Sequence, residues 1–158
     1  MTTLFLDFDG VLHPPGTHSS IDYLRTRDAR LFIWLPTLSQ ILAPYPEVQI
    51  IVSSDWRTTN DDEDLRQILG PLGPRFAGIT DGFSEESRVA EILELVEMRG
   101  LTRWVALDDH PSVRVASETD ARFLWCSPER GISDPQVQRA LQARLSVSAA
   151  TNGESAPH

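Results

Sequence analysis

Lysine is absent from this chain of 158 residues, and all 14 of its basic residues are arginine. That excludes lysine Schiff bases, pyridoxal phosphate attachment and the lysine of a phosphate-binding Walker loop. Cysteine occurs once, at Cys126, so no internal disulfide and no cysteine-based zinc cluster can form. Such usage fits a reducing cytosol, and a cytoplasmic location is the expectation. Long apolar runs are missing as well: no window approaches the roughly eighteen residues of a membrane span. Met1-Thr2-Thr3 carries no basic residue, so no secretory signal is expected. Positive charge is scarce overall. Against 14 bases stand 23 acids, a formal net charge of −9. Non-specific binding of nucleic acid rests on phosphate neutralisation, and this balance opposes it, although it leaves room for a local basic cleft.

What is present is a globular composition, 41% hydrophobic and 23% charged. A chain of this length suits one domain that buries about 70% of its unfolded surface. Short apolar runs alternate with helical patterns. Leu4-Phe5-Leu6, Val48 to Val52, Trp104 to Leu107 and Phe123-Leu124-Trp125 read as strands, with a weaker one from Phe76 to Ile79. Runs apolar on both faces suit a parallel sheet covered by helices. Helices are expected from Pro36 to Leu42, from Asp61 to Leu69 with acids in the first turn, and from Ser84 to Met98. In the last of these Val89, Ile92, Leu93 and Val96 fall at helical spacing, and Gly100 is a suitable stop. Asp134-Pro135 opens a final helix with Val137, Leu141 and Leu145 on one face. The expected fold is therefore α/β, a three-layer Rossmann-like arrangement around a central, mainly parallel sheet. One domain is expected over residues 1–145, followed by a small, polar, disordered tail over residues 146–158.

Ligands of such sheets bind outside the carboxyl ends of the strands, so the residues just after each apolar run matter most. Asp7-Phe8-Asp9-Gly10 follows the first run, Ser53-Ser54-Asp55-Trp56-Arg57 the second and Asp108-Asp109-His110 the third. Four aspartates converging there would repel one another and raise one another's pKa. A divalent cation relieves this, and oxygen-only ligation points to Mg²⁺, which takes carboxylates, waters and a substrate phosphate.

Leu6-Asp7-Phe8-Asp9-Gly10-Val11-Leu12, the serine closing Ile50-Ile51-Val52-Ser53, and Leu107-Asp108-Asp109 resemble, in order and strand context, the haloacid dehalogenase-like phosphohydrolase superfamily. More narrowly, Ser53-Ser54-Asp55-Trp56-Arg57, Arg88-Val89-Ala90-Glu91-Ile92, Leu107-Asp108-Asp109 and Gly131-Ile132-Ser133 resemble the haloacid dehalogenase domain of Swiss Army Knife RNA repair proteins. The resemblance implies Asp7 as the nucleophile that forms an aspartyl-phosphate, and Asp9 as the acid and then the base. It implies Ser53, or alternatively Ser54, as a phosphate hydrogen-bond donor, with Gly10 and Arg57 also on the substrate side. Mg²⁺ falls to Asp7, Asp108, the backbone carbonyl of Asp9, and Asp109 directly or through water. One position departs from the superfamily pattern. The usual lysine of the third motif is missing, and Arg88, with Arg57 second, is the candidate replacement, offering fixed charge and bidentate geometry.

Other residues near the motifs read as framework. Trp56 reads as a packing residue, His13 and His110 as neighbours, Asp55 as a partner of Arg57 or a helix cap, and Cys126 as a buried small hydrophobe. Arg25, Arg27 and Arg30 read as a solvated loop. Neither interval that could hold a cap domain leaves room for a full one, so an open site is expected, covered at most by the Pro14-Pro15-Gly16 loop. Three functions follow: a Mg²⁺-dependent phosphatase of nucleic-acid 3′-phosphate ends (RNA or DNA), a small-molecule or nucleotide phosphatase, and a phosphate-sensing or partner-binding module without turnover. No membrane partner is expected.

Overall fold

The structure is a computed structural model that describes residues 1–16, 30–81 and 87–154, with side chains through residue 147. Its strands are β1 (Thr3–Leu6), β2 (Gln49–Val52), β3 (Phe76–Ile79), β4 (Trp104–Asp108) and β5 (Phe123–Trp125). Its helices are α1 (Leu35–Leu42), α2 (Asp62–Ile68), α3 (Arg88–Arg99), α4 (Pro111–Ser117) and α5 (Pro135–Glu154). The strands form one parallel sheet in the order β3-β2-β1-β4-β5.

Each strand sends alternate side chains to opposite faces, and that periodicity divides the core in two. Leu4, Leu6, Ile50, Val52, Val105 and Leu107 face one layer, which holds Leu38 and Leu42 of α1, Leu65 and Ile68 of α2, and Val137, Leu141 and Leu145 of α5. Phe5, Ile51, Trp104, Ala106 and Phe123 face the other, against Ile92 and Leu95 of α3 and Val113 of α4. This is the expected three-layer Rossmann-like architecture. Because β1 is central, the loops after β1, β2 and β4 emerge side by side at the carboxyl end of the sheet.

Several elements differ from the sequence reading. The third helix starts at Arg88 rather than Ser84: Ser87 is its cap, and its hydroxyl accepts from the Ala90 N–H at 3.0 Å. Residues 82–86 lie outside the described residues. On α3, Leu93 is exposed and Leu95 is buried instead. Helix α4 was not anticipated. It is short, begins with Pro111, and is capped by His110, whose Nδ1 accepts from the Ser112 N–H at 3.1 Å. Helix α5 continues past Leu145 to Glu154, since Ser146 to Ala150 contains no residue that breaks a helix. Arg25 and Arg27 lie outside the described residues, as do residues 17–29 of the connection that begins with the Pro14-Pro15-Gly16 loop. Among the described residues no helix is long and apolar enough to cross a membrane.

Candidate active site

Three strand ends build the site. The Asp7 N–H donates to the Leu107 carbonyl at 3.2 Å, and the Ser53 N–H donates to the Leu6 carbonyl at 2.9 Å. These bonds bring Asp7, just after β1, Ser53, just after β2, and Asp108 of β4 into one row. Asp7, Asp108 and Asp109 each present a carboxylate oxygen within 4.8 Å of the other two. Asp7 and Asp108 are buried, and Asp109 is partly so.

The loop after β1 makes this approach possible. The Val11 and Leu12 N–H groups both donate to the Phe8 carbonyl, and the Gly10 N–H donates to the His13 carbonyl at 2.8 Å. Gly10 stands at φ +77°, and a Cβ there would lie 2.1 Å from Asp109 Oδ2. Only glycine admits the Asp109 carboxylate at that distance. Gly10 thus supplies clearance, and its N–H is already committed to His13, so it offers no donor to a substrate.

Arg88 is the cation of the cluster. It enters from the first turn of α3, buried, and lies 3.2 Å from Asp108, 3.6 Å from Asp7, 3.2 Å from Asp55 and 3.6 Å from Glu91. It also donates to the Ser53 carbonyl. Burial pushes the Asp7 carboxyl well above the usual carboxylate range; Asp108 and Asp109 add to the shift and Arg88 opposes it. Burial likewise raises Asp108, although Arg88 and the His110 N–H hold it back, and raises Asp109. Burial opposes the Arg88 charge, but Asp108, Asp7, Asp55 and Glu91 outweigh it and raise the guanidinium further. The Cys126 thiol, buried as expected, is also pushed up, by burial first and then by the nearby aspartates.

One polar atom in this row is left over. The Ser53 hydroxyl is buried and has no hydrogen-bond partner among the described residues. The Ser54 hydroxyl accepts from the Trp56 N–H at 3.3 Å and caps the short 3-10 turn Asp55–Thr58. A buried hydroxyl without a partner is costly unless a ligand completes it.

The family described as "HAD domain in Swiss Army Knife RNA repair proteins" matches residues 3–137. The chain belongs to this family. Comparison with curated proteins and comparison with solved structures each gave no match. Membership places this haloacid dehalogenase (HAD) domain among HAD-type hydrolases. A glycine outside the strand ends also shapes the site. Gly131 stands at φ +49°, and a Cβ there would meet the Val11 carbonyl at 2.4 Å and the Trp34 ring. The Ile132 N–H then bonds the same carbonyl at 3.0 Å. Gly131-Ile132-Ser133 therefore clamps the loop that carries Asp7 and Asp9.

The donor set of the HAD domain fits Mg²⁺. Three carboxylates converge with more negative charge than Arg88 neutralises, all hard oxygen donors, beside an unsatisfied hydroxyl suited to a phosphate. Asp7, Asp108 and Asp109 are the side chains able to hold the ion. The Asp9 side chain is not part of this cluster, since its carboxylate is turned the other way.

Asp9 Oδ1 lies 2.6 Å from His13 Nε2, and Oδ2 accepts from Trp56 Nε1 at 3.0 Å. Both residues read as neighbour or packing in the sequence. Neither contact was legible, because no spacing rule links Asp9 to an indole 47 residues away. Arg57 also differs from its expected place. Its guanidinium is buried, donates to the Ser53 and Ser54 carbonyls at 2.9 and 3.0 Å, and pairs with buried Glu91 at 3.2 Å. It frames the Ser53 turn rather than lining a substrate surface. Asp55, 82% exposed, bridges Arg88 and Arg57, close to its expected role.

Proposed function

We propose that this HAD domain is a Mg²⁺-dependent phosphomonoester hydrolase working through Asp7, with nucleic-acid 3′-phosphate ends as its substrates. The reading rests chiefly on one observation: the buried Ser53 hydroxyl, without a partner among the described residues, in the same row of strand ends as Asp7 and the three-carboxylate cluster. When bound, the metal supplies charge neutralisation for these carboxylates and for the phosphoryl oxygens. The chain's own residues do the rest. The Asp7 carboxylate attacks phosphorus, the bond from phosphorus to the leaving oxygen breaks, and Asp9 gives that oxygen its proton. Asp9 then takes a proton from water as the water attacks phosphorus, the bond to Asp7 breaks, and orthophosphate leaves. The Ser53 hydroxyl donates to a phosphoryl oxygen, and Arg88 holds Asp7 and Asp108 in place as fixed charge.

The preference for chain ends draws on the family's RNA repair context. Asp9, at 50% side-chain exposure, is within reach of a bulky leaving group. With a net charge of −9, affinity must come from the terminal phosphate rather than from tracking along a strand.

The test is phosphate release, with Mg²⁺ and with EDTA, from p-nitrophenyl phosphate, a 3′-phosphorylated RNA and free nucleoside monophosphates. Wild type is expected to turn over the RNA end best, and Asp7→Asn to lose at least about a thousandfold. A preference for free nucleotides would move the substrate to small molecules. No release from any of them, with Mg²⁺ demonstrably bound, would mark a binding module instead.

A further inference from the structure

Asp9 sits on a loop, and its carboxylate is half exposed. Two ring nitrogens hold it. His13 Nε2 lies 2.6 Å from Oδ1 and Trp56 Nε1 lies 3.0 Å from Oδ2, so each oxygen has its own N–H and the carboxylate plane is set. His13 is buried, with 1% of its side chain exposed, and its Nδ1 accepts from the Phe32 N–H at 3.3 Å. An Nδ1 that accepts leaves the ring proton on Nε2, facing Asp9. The imidazole meets Phe32 edge-on at 4.8 Å, and Trp56 packs edge-on against Phe8 and Phe32 at 5.8 and 5.0 Å. The two donors are therefore held by a rigid aromatic cluster.

We propose that His13 and Trp56 are positioning residues that aim the Asp9 carboxylate at the leaving oxygen, a role that rests on the phosphatase reading above. A histidine satisfied only for core packing would need no acid. This one spends one nitrogen on the backbone and the other on the carboxylate that must move a proton. General acid catalysis depends on such aim to within a fraction of an ångström.

The experiment compares kcat/KM for p-nitrophenyl phosphate, whose leaving group needs no proton, with that for benzyl phosphate, whose alkoxide does. His13→Ala is expected to lose about a hundredfold on benzyl phosphate and less than about tenfold on the nitrophenyl ester. His13→Gln, which restores an N–H, is expected to recover most of the loss. Trp56→Phe keeps a ring and removes only the donor, so it should show the same ester dependence at smaller size, and it carries the comparison if His13→Ala does not fold. Equal losses on both esters in folded variants overturn the proposal and leave the phosphatase reading standing. Wild type inert towards both esters and towards the 3′-phosphorylated RNA overturns that reading and the proposal with it. Nitrogen NMR of wild-type His13 adds a readout free of turnover: a proton on Nε2 is expected, and one on Nδ1 overturns the proposal.

Discussion

Asp7 and Asp9 belong to one loop, two residues apart, yet their surroundings share almost nothing. Asp7 is buried among charges: Asp108, Asp109 and Arg88. Asp9 is half exposed and is held by the ring N–H groups of an imidazole and an indole. In an extended strand residues two apart point the same way. Here the chain turns at Phe8, whose carbonyl receives both the Val11 and the Leu12 N–H, and the two carboxylates part company. Roles within an Asp-x-Asp pair are thus assigned by the segments that arrive from elsewhere. β4 and α3 bring charge to Asp7, while the turn after β2 brings an indole to Asp9.

The largest blow to this contrast falls on Arg88. Arg88→Ala leaves Asp7 and Asp108 buried without their shared cation, while Glu91 keeps Arg57, at a cost of about 3–5 kcal/mol. Urea denaturation in EDTA should show that loss, while the nitrogen signal of His13 on the Asp9 side stays in place. A His13 signal that moved as well would mean that the two sides are one coupled unit.

Mg²⁺ should sharpen the contrast next. The folded-state pKa values of Asp7 and Asp108 stand above their unfolded values, so the native state binds more protons than the unfolded one above the unfolded pKa. Their contribution to stability is therefore lost as pH rises from about 4 through the folded pKa values. Thermal melts in EDTA should show this decline, and Asp108→Asn should flatten it. At about a hundredfold the dissociation constant, Mg²⁺ should add about 2.7 kcal/mol at neutral pH. Asp9→Asn should leave most of that metal effect intact, because its side chain lies outside the cluster. Equal loss of the metal effect in both variants would erase the distinction.

The smallest effect concerns Ser53. Ser53→Ala removes a hydroxyl that bonds nothing among the described residues, so urea stability should change by less than about 1 kcal/mol. KM for a phosphate ester should still rise about tenfold. Ser54→Ala is expected to do the reverse, weakening the cap on the Asp55–Thr58 turn with little change in KM. If Ser54→Ala carried the KM effect instead, the phosphate would sit on the other side of the turn.

The residues legible in the sequence were those at strand ends. Asp7, Ser53 and Asp108 each close an apolar run, and a parallel sheet lines such positions up. Arg88 could be named because the missing lysine called for a replacement. What stayed hidden depends on geometry across loops. Arg57 reads as a substrate-side cation, but it is buried and pairs with Glu91 of α3. Gly10 reads as a substrate-side residue, but the Asp109 carboxylate occupies the space a side chain would need. Helix α4 escaped because it is too short to display a period, and the α3 start slipped because Ser84 and Ser87 both look like caps.

The pairing of β1 with β4 carries a consequence for how the molecule comes into being. Thr3 registers with Trp104, so the central pairing spans roughly a hundred residues of chain, a long loop for folding to close. During synthesis β1 and Asp7 emerge well before the strand that completes their surroundings. The mutually repelling acids are thus kept apart until the last central strand docks. Assembly of the acidic cluster requires the β1–β4 pairing, and gain of metal affinity during refolding would serve as a clock for the closing of the central sheet.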